Sequence, residues 1–396
     1  MSVLQDARAM QEQLVHWRHA LHTEPEIGLD LPRTQEKVLT ALDGLPLEIG
    51  TGTSTTSVTA TLRGTGEGPT VLLRGDMDAL PVQENTGLDY TSRVENRMHA
   101  CGHDLHTTML LGAAHLLAGQ RDKLAGDIVF MFQPGEEGYD GASVMLEEGV
   151  LSAGGKDTDA AYAVHVSSMR LPHGVFATRK GTIMSASDTL HVEVHGSGGH
   201  GSAPQLTSDP VTAISEMVTA LQSMITRQFD VFDPVVISVG SLHAGAVSNV
   251  IPETARFDAT VRTFSETARE RVQERVRTVL GGIAVSHRVG LEIDYQSGYP
   301  PTVTDAEETA FTGEVIEELF GTERHRVLAD PLAGSEDFSR VLGEVPGSFV
   351  MLGAIPPEGD PETAPYNHSP LAVFDDRVLS DGAALYAQLG LTRTAK

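Results

Sequence analysis

Residues 126–138 read GDIVFMFQPGEEG: five consecutive apolar side chains, Ile128 to Phe132, followed at once by a glutamate pair between glycines. An unbroken apolar run of this length is the pattern of a strand covered on both faces. A buried strand has no structural need for two carboxylates just past its end. The arrangement recurs along the chain. Val71–Leu73 leads to Asp76 and Asp78, DAAYAVHV (159–166) carries His165, and SFVMLGA (348–354) leads through a loop to PYNHSP (365–370) with His368. MHACGHDLHTT (98–108) sets the single cysteine, Cys101, beside His99, His103 and His106. Strands alternating with helices indicate an α/β fold, a central sheet flanked by helices. In such open sheets ligands bind beyond the carboxyl ends of the strands. These side chains are therefore expected to converge.

With 396 residues the chain exceeds one typical core, so two domains are expected. Apolar residues at 40% and charged ones at 21% are ordinary for a soluble globular protein. The net charge of −26, from 28 basic and 54 acidic side chains, excludes nucleic acid and anionic membranes as partners, since both need a clustered basic face. No apolar run approaches the roughly 20 residues that cross a bilayer. The start, MSVLQDARAMQEQ, reads without a signal peptide. One cysteine makes no internal disulfide, which fits a reducing compartment, and the location expected is the cytoplasm.

Leu4, Met10, Leu14, Trp17 and Leu21 mark an amphipathic helix over 3–21. Residues 56–78 read as a hairpin: an alternating strand, a glycine-rich turn and the apolar strand at Val71. TTMLLGAAHLLAG (107–119) is a buried helix ending at Gly119. From 185 to 296 the texture changes to β-α-β-β-α-β, the split order of a ferredoxin-like sandwich. Apolar strands resume after it. The expected organisation is a discontinuous domain, 1–184 plus 297–396, with 185–296 inserted.

A thiolate, imidazoles and carboxylates together suit a borderline divalent cation: zinc first, then manganese, nickel or cobalt. Calcium and magnesium prefer all-oxygen shells. A thiolate can also bridge two ions, as in two-metal hydrolases. Each residue has a plainer reading, since lone histidines and paired glutamates usually sit on surfaces and a single cysteine usually packs as a small hydrophobe. Cys101 as a nucleophile with a histidine partner is the other chemical option, but it leaves Glu136, Glu137, His165 and His368 without work. The Glu136–Glu137 pair allows one carboxylate to bind a cation while its neighbour takes a proton from water.

LRGDMDALP (73–81), MHACGHDLHT (98–107), QPGEEG (133–138), GGHGSAP (198–204), SNVIPE (248–253), GSEDFS (334–339) and NHSP (367–370) occur in this order. Together they resemble the signatures of the M20 metallopeptidases, in the aminoacylase/hippurate hydrolase branch, over about residues 10 to 390. The resemblance implies a zinc-exopeptidase-like catalytic domain of mixed sheet with an inserted ferredoxin-like lid or dimerisation domain. It implies an amidohydrolase that cleaves N-acyl amino acids to a carboxylic acid and a free amino acid. It places one or two divalent ions on Cys101, His103, Glu137, His165 and His368, with Glu136 as general base. Asp78 matches the acid that orients a metal-binding histidine, although Asp76 stands where relatives with an HxD form carry that histidine. His200 matches a histidine that polarises the substrate carbonyl, often supplied by the partner subunit, so a homodimer or higher homo-oligomer is expected. Asn249 and Arg262 match positions that hold the substrate's carboxylate. The alternatives are a metallo-dipeptidase or aminopeptidase using the same site, and a non-catalytic metal-binding protein.

Overall fold

In the computed structural model, which describes residues 2–395, the N-terminal periodicity resolves into two helices, α1 (Val3–Ala9) and α2 (Gln11–His22). The Met10 N–H closes the first by donating to the Ala7 and Arg8 carbonyls, and the apolar stripe continues across the break. α3 (Pro32–Leu42) follows, begun by a proline whose missing N–H costs a first turn nothing. β1 (Leu47–Thr51) and β2 (Val58–Leu62) form an antiparallel pair. Then come β3 (Val71–Asp76), α4 (His103–Ala118), β4 (Ile128–Gln133), α5 (Gly141–Glu147), β5 (Ala160–Ser167), β6 (Phe176–Thr178) and β7 (Gly181–Met184).

The hairpin expected over 56–78 does not form. β2 pairs with β4, antiparallel, and β4 in turn pairs with β3, parallel, so β4 lies between the two expected partners. The glycine-rich segment instead wraps the residues leading into β4: Thr65 N–H donates to Leu124 O and Gly68 N–H to Ala125 O. A Cβ on Gly64 would sit 2.2 Å from the Gly126 carbonyl oxygen, so the glycine is there for this close passage. β3 and β4 are buried at every position, as strands with neighbours on both sides must be.

The chain then builds a second unit. β8 (Ser187–His195), β9 (Gly199–His200), α6 (Pro210–Gln228), β10 (Val235–Ala244), β11 (Val250–Ile251), β12 (Thr254–Thr263), α7 (Glu266–His287) and β13 (Gly290–Tyr299) follow in order. Four of the strands make an antiparallel sheet, β10-β12-β8-β13, which is the ferredoxin-like order. Alternate residues point inward, so Leu190, Val192, Val194, Phe257 and Val261 meet Met217, Leu221, Val276 and Leu280 of the two helices. Asp209 and Ser265 cap those helices with their side-chain oxygens. β9 and β11 form a separate two-stranded ribbon.

After β14 (Thr302–Thr304) come α8 (Ala306–Phe320), β15 (His325–Val327), α9 (Ser339–Glu344), β16 (Gly347–Gly353) and α10 (Leu379–Thr394). The first unit's sheet has the order β1-β2-β4-β3-β5-β16-β6-β15. Its central strands β4, β3, β5 and β16 are parallel, so their carboxyl ends share one edge. This unit comprises the chain up to Gly181, Val303–Asp330 and the chain from Arg340; the second comprises Thr182–Thr302 and Pro331–Ser339. The second unit takes in Pro331–Ser339 because Ser185 donates to the Leu332, Ala333 and Gly334 carbonyls. Among the described residues no helix is long and apolar enough to cross a membrane.

One buried ion network fixes α2 against α4. Arg18, wholly buried, donates Nε to Asp104 at 2.8 Å and Nη1 to Asp376 at 2.7 Å and Tyr90 at 2.7 Å. His22 Nδ1 meets the same Asp104 oxygen at 2.8 Å. Burial alone would raise the Asp104 pKa, but Arg18 and His22 outweigh it and hold the carboxyl well below its usual range. Arg18→Ala leaves two carboxylates short of their cation. It is expected to cost about 3–5 kcal/mol in urea unfolding; a loss under about 1 kcal/mol would show the network to be energetically idle.

Candidate metal centre

The strand ends deliver what the sequence placed there. Past β3, Asp78 is fully buried and accepts from both the Glu136 and Glu137 N–H groups at 3.0 Å. It thereby pins the turn that follows β4. Its Oδ1 also lies 3.3 Å from His103 Nδ1, which leaves Nε2 of that ring aimed elsewhere. Asp78 so sets both the glutamates and the histidine.

Cys101 and His103 flank Gly102, which begins α4 at φ +90°. A Cβ on Gly102 would sit 2.4 Å from Val166 Cγ2, so the left-handed turn and the contact with β5 both require glycine. His165, in β5, has its Nδ1 2.8 Å from the Val166 carbonyl. A carbonyl only accepts, so Nδ1 carries the proton and Nε2 presents a lone pair. That lone pair faces Cys101 Sγ at 3.5 Å.

His368 has φ +73°, a conformation few non-glycine residues adopt, and its N–H donates to the Ala100 carbonyl. Its Nε2 lies 3.3 Å from Cys101 Sγ and 3.2 Å from Glu137 Oε1. Asn367 secures this turn, donating Nδ2 to the Cys101 and Val166 carbonyls and accepting from Ser168 N–H. Asn367 looks in the sequence like part of a chance glycosylation pattern. Its place beside His368 was the available signal.

Thus Cys101, His103 and His165 offer ligand atoms all within 4.8 Å of one another, and so do Cys101, Glu137 and His368. The two groups share the thiol. Glu136, with His103 and Glu137, forms a third such group. Cys101, His103, Glu136 and His165 are buried, while the His368 side chain is 54% exposed, so the centre opens on the His368 side.

The residues fit a divalent cation. His103 Nε2 and Glu137 Oε1 are buried without an aligned hydrogen-bond partner, a costly state that a cation would relieve. The surroundings also favour positive charge. Burial would depress His103, yet Asp76 and Cys101 raise it well above an ordinary imidazole. Contacts with Cys101 and then Glu137 raise His368 to about 10. His165 goes the other way: burial, then the neighbouring His106, keeps it neutral, as a ligand must be.

The remaining histidines of the 98–108 segment divide. His106 is packed within the site but does not present a free nitrogen. His99 turns towards His22, with ring centroids 6.2 Å apart, and burial drives its pKa down to about 3.

In the second unit, His200 and Asn249 meet through the β9–β11 ribbon: His200 pairs with Val250, and Gly201 N–H donates to the Asn249 carbonyl. The exposed His200 ring holds Ser202 Oγ at 2.8 Å from Nδ1. Arg262 is half-buried on β12, on the face away from Val261, and its Nη1 has no hydrogen-bond partner. Burial lowers its pKa, with Asp188 opposing.

The profile of peptidase family M20/M25/M40 matches residues 72–391. The chain is 37% identical to thermostable carboxypeptidase 1 of Saccharolobus solfataricus, covering 98% of this chain and 96% of that protein. It is 35% identical to the hippurate hydrolase of Campylobacter jejuni, over 99% of each. Among solved structures, the Bacillus subtilis YXEP protein, described as a dinuclear metal-binding peptidase from the M20 family, superposes with a TM-score of 0.84. Identity is 30%, over 98% of this chain and 99% of that one.

Proposed function

Because this chain belongs to peptidase family M20/M25/M40, we propose that it hydrolyses the amide bond of N-acyl amino acids, of hippurate or N-acetyl type, releasing a carboxylic acid and a free amino acid. The observation that carries the reading is the meeting of Cys101, His103, Glu137, His165 and His368 in two groups that share the Cys101 thiol, with a second carboxylate, Glu136, beside His103 and Glu137. Likeness to a hippurate hydrolase over nearly the whole of both chains supports the substrate class.

Cys101, His103, Glu137, His165 and His368 would hold the cation, zinc, manganese, nickel or cobalt. Two ligand groups share Cys101 Sγ, so these residues would hold one ion or two. Such a cation lowers the pKa of water towards about 7 and polarises a carbonyl. Glu136 takes the proton from the attacking water and returns it to the departing amine nitrogen. Asp78 holds the Glu136 amide and the His103 ring in register.

From the second unit, His200 would donate to the developing oxyanion. Arg262 and Asn249 would hold the substrate's free carboxylate. The unbonded Nη1 of Arg262 supports that role, since a guanidinium suits bidentate carboxylate binding. The homodimer, with the second unit as lid or dimerisation domain, belongs to the same proposal. So does the cytoplasm, where a free thiol at the centre stays reduced.

Likeness to a carboxypeptidase favours one second reading, a peptidase using the same machinery on peptide bonds. The test is a panel of benzoyl- and acetyl-amino acids and unblocked dipeptides, each assayed with zinc, manganese, nickel and cobalt in turn. Acyl amino acids are expected to show the higher kcat/KM under the best metal. Turnover confined to dipeptides would overturn the proposal in favour of the peptidase.

A further inference from the structure

β3 and β5 are paired only as far as Arg74 and Ala163. In that last parallel pair the Arg74 carbonyl and the Val164 N–H face each other. The hydroxyl of Tyr386, from α10, stands between them, donating to Arg74 O at 2.6 Å and accepting from Val164 N–H at 2.7 Å.

One rung further, the first turns of α4 intervene. Asp76 O accepts from the Thr107 hydroxyl at 2.7 Å, and Val166 N–H donates to His106 Nε2 at 2.8 Å. Because that N–H can only donate, Nε2 is unprotonated and Nδ1–H donates to Asp76 Oδ1, at 2.6 Å. The other Asp76 oxygen accepts from Arg74 Nη1 at 2.6 Å. Both His106 nitrogens and both Asp76 oxygens are thus engaged, and all of these groups are buried. Yet the His106 ring touches both proposed ligands on either side, at 4.6 Å from His165 and 5.3 Å from His103 between centroids.

We infer that Tyr386 and His106 are positioning residues that brace the ends of β3 and β5, at and beyond their last pair, at the width the cation centre needs. Asp76 then anchors His106 and is not itself a ligand, although its Oδ2 lies 3.5 Å from His103 Nε2. The inference rests on the reading of His103 and His165 as cation ligands.

The experiment compares wild-type protein with Tyr386→Phe, His106→Leu and His106→Gln, the last keeping one donor and one acceptor. Cobalt(II) affinity is measured by competition with a chromophoric chelator, and the visible absorption of the cobalt-loaded protein reports ligand geometry independently of turnover. Tyr386→Phe and His106→Leu are expected to weaken cobalt binding about 10–100-fold, as loss of groups behind metal ligands commonly does, and to shift the cobalt bands. His106→Gln is expected to recover part of both. Tyr162→Phe serves as the control: that buried hydroxyl bonds Glu308, so its loss should lower stability and leave the spectrum unchanged. If His106→Leu does not fold, Tyr386→Phe and His106→Gln still decide. Wild-type affinity and spectrum in Tyr386→Phe, or a spectral shift in Tyr162→Phe as large, would overturn the inference. A wild-type protein that binds no cobalt would overturn the cation reading and this inference with it.

Discussion

Glu136→Gln is expected to lower kcat for N-acyl amino acid hydrolysis by about 10²- to 10⁴-fold, the usual worth of a positioned general base. The amide keeps the shape of the side chain and loses its ability to take a proton. KM and cation content are expected to stay near wild type. Glu137 occupies the ligand group with Cys101 and His368, whereas Glu136 lies beside it within 4.8 Å of His103 and Glu137 ligand atoms. The backbone that sets the pair hangs on Asp78 through two N–H bonds that the substitution does not touch. Turnover is read by amine release under saturating metal and cation content by elemental analysis. Unchanged kcat removes Glu136 from the reaction. A variant that has lost its metal makes Glu136 a ligand and leaves the base to be found elsewhere.

Removal of the cation by prolonged chelation is expected to abolish hydrolysis, and to lower thermal stability by an amount set by mass action. A ligand present at 100 times its dissociation constant contributes about 2.7 kcal/mol. His103 Nε2 and Glu137 Oε1, buried with no aligned hydrogen bond, are the physical reason, since a cation would satisfy them. Zinc, manganese, nickel and cobalt, added back singly at one concentration, should each restore stability in the order of their affinities. Full activity after exhaustive chelation, with metal content verified as nil, contradicts the assignment.

Much of the centre was legible because the chemistry lies at the ends of runs that could only be buried strands. Ile128–Phe132 and Val71–Leu73 announce their own burial, and Glu136, Glu137, Asp76 and Asp78 follow within a few residues. The β-α-β-β-α-β order of the second unit was equally plain, since its strands alternate and its helices carry capping residues at Asp209 and Ser265. Pairing between strands was not. A glycine-rich stretch before Val71 looks like a hairpin turn, and nothing local reveals that Leu124–Gly126 will pass beneath it. The supports of the site were hidden for a similar reason. Tyr386 lies 312 positions from the carbonyl it holds, and Arg18 lies 86 from Asp104, so no spacing rule links them. His106 could be seen, three residues from His103 on one helix face, but its role depends on Val166 taking one nitrogen and Asp76 the other. Under the proposed assignment, histidines that look alike in the sequence are sorted into ligand and support by which lone pairs their neighbours leave open.

The most direct measurement is an anomalous-difference map from crystals of the cobalt-loaded protein, collected at the cobalt absorption edge. The account predicts one or two peaks in contact with Cys101 Sγ, with His103, Glu137, His165 and His368 around them. No peak there, or a peak bound elsewhere with these side chains uninvolved, would contradict it.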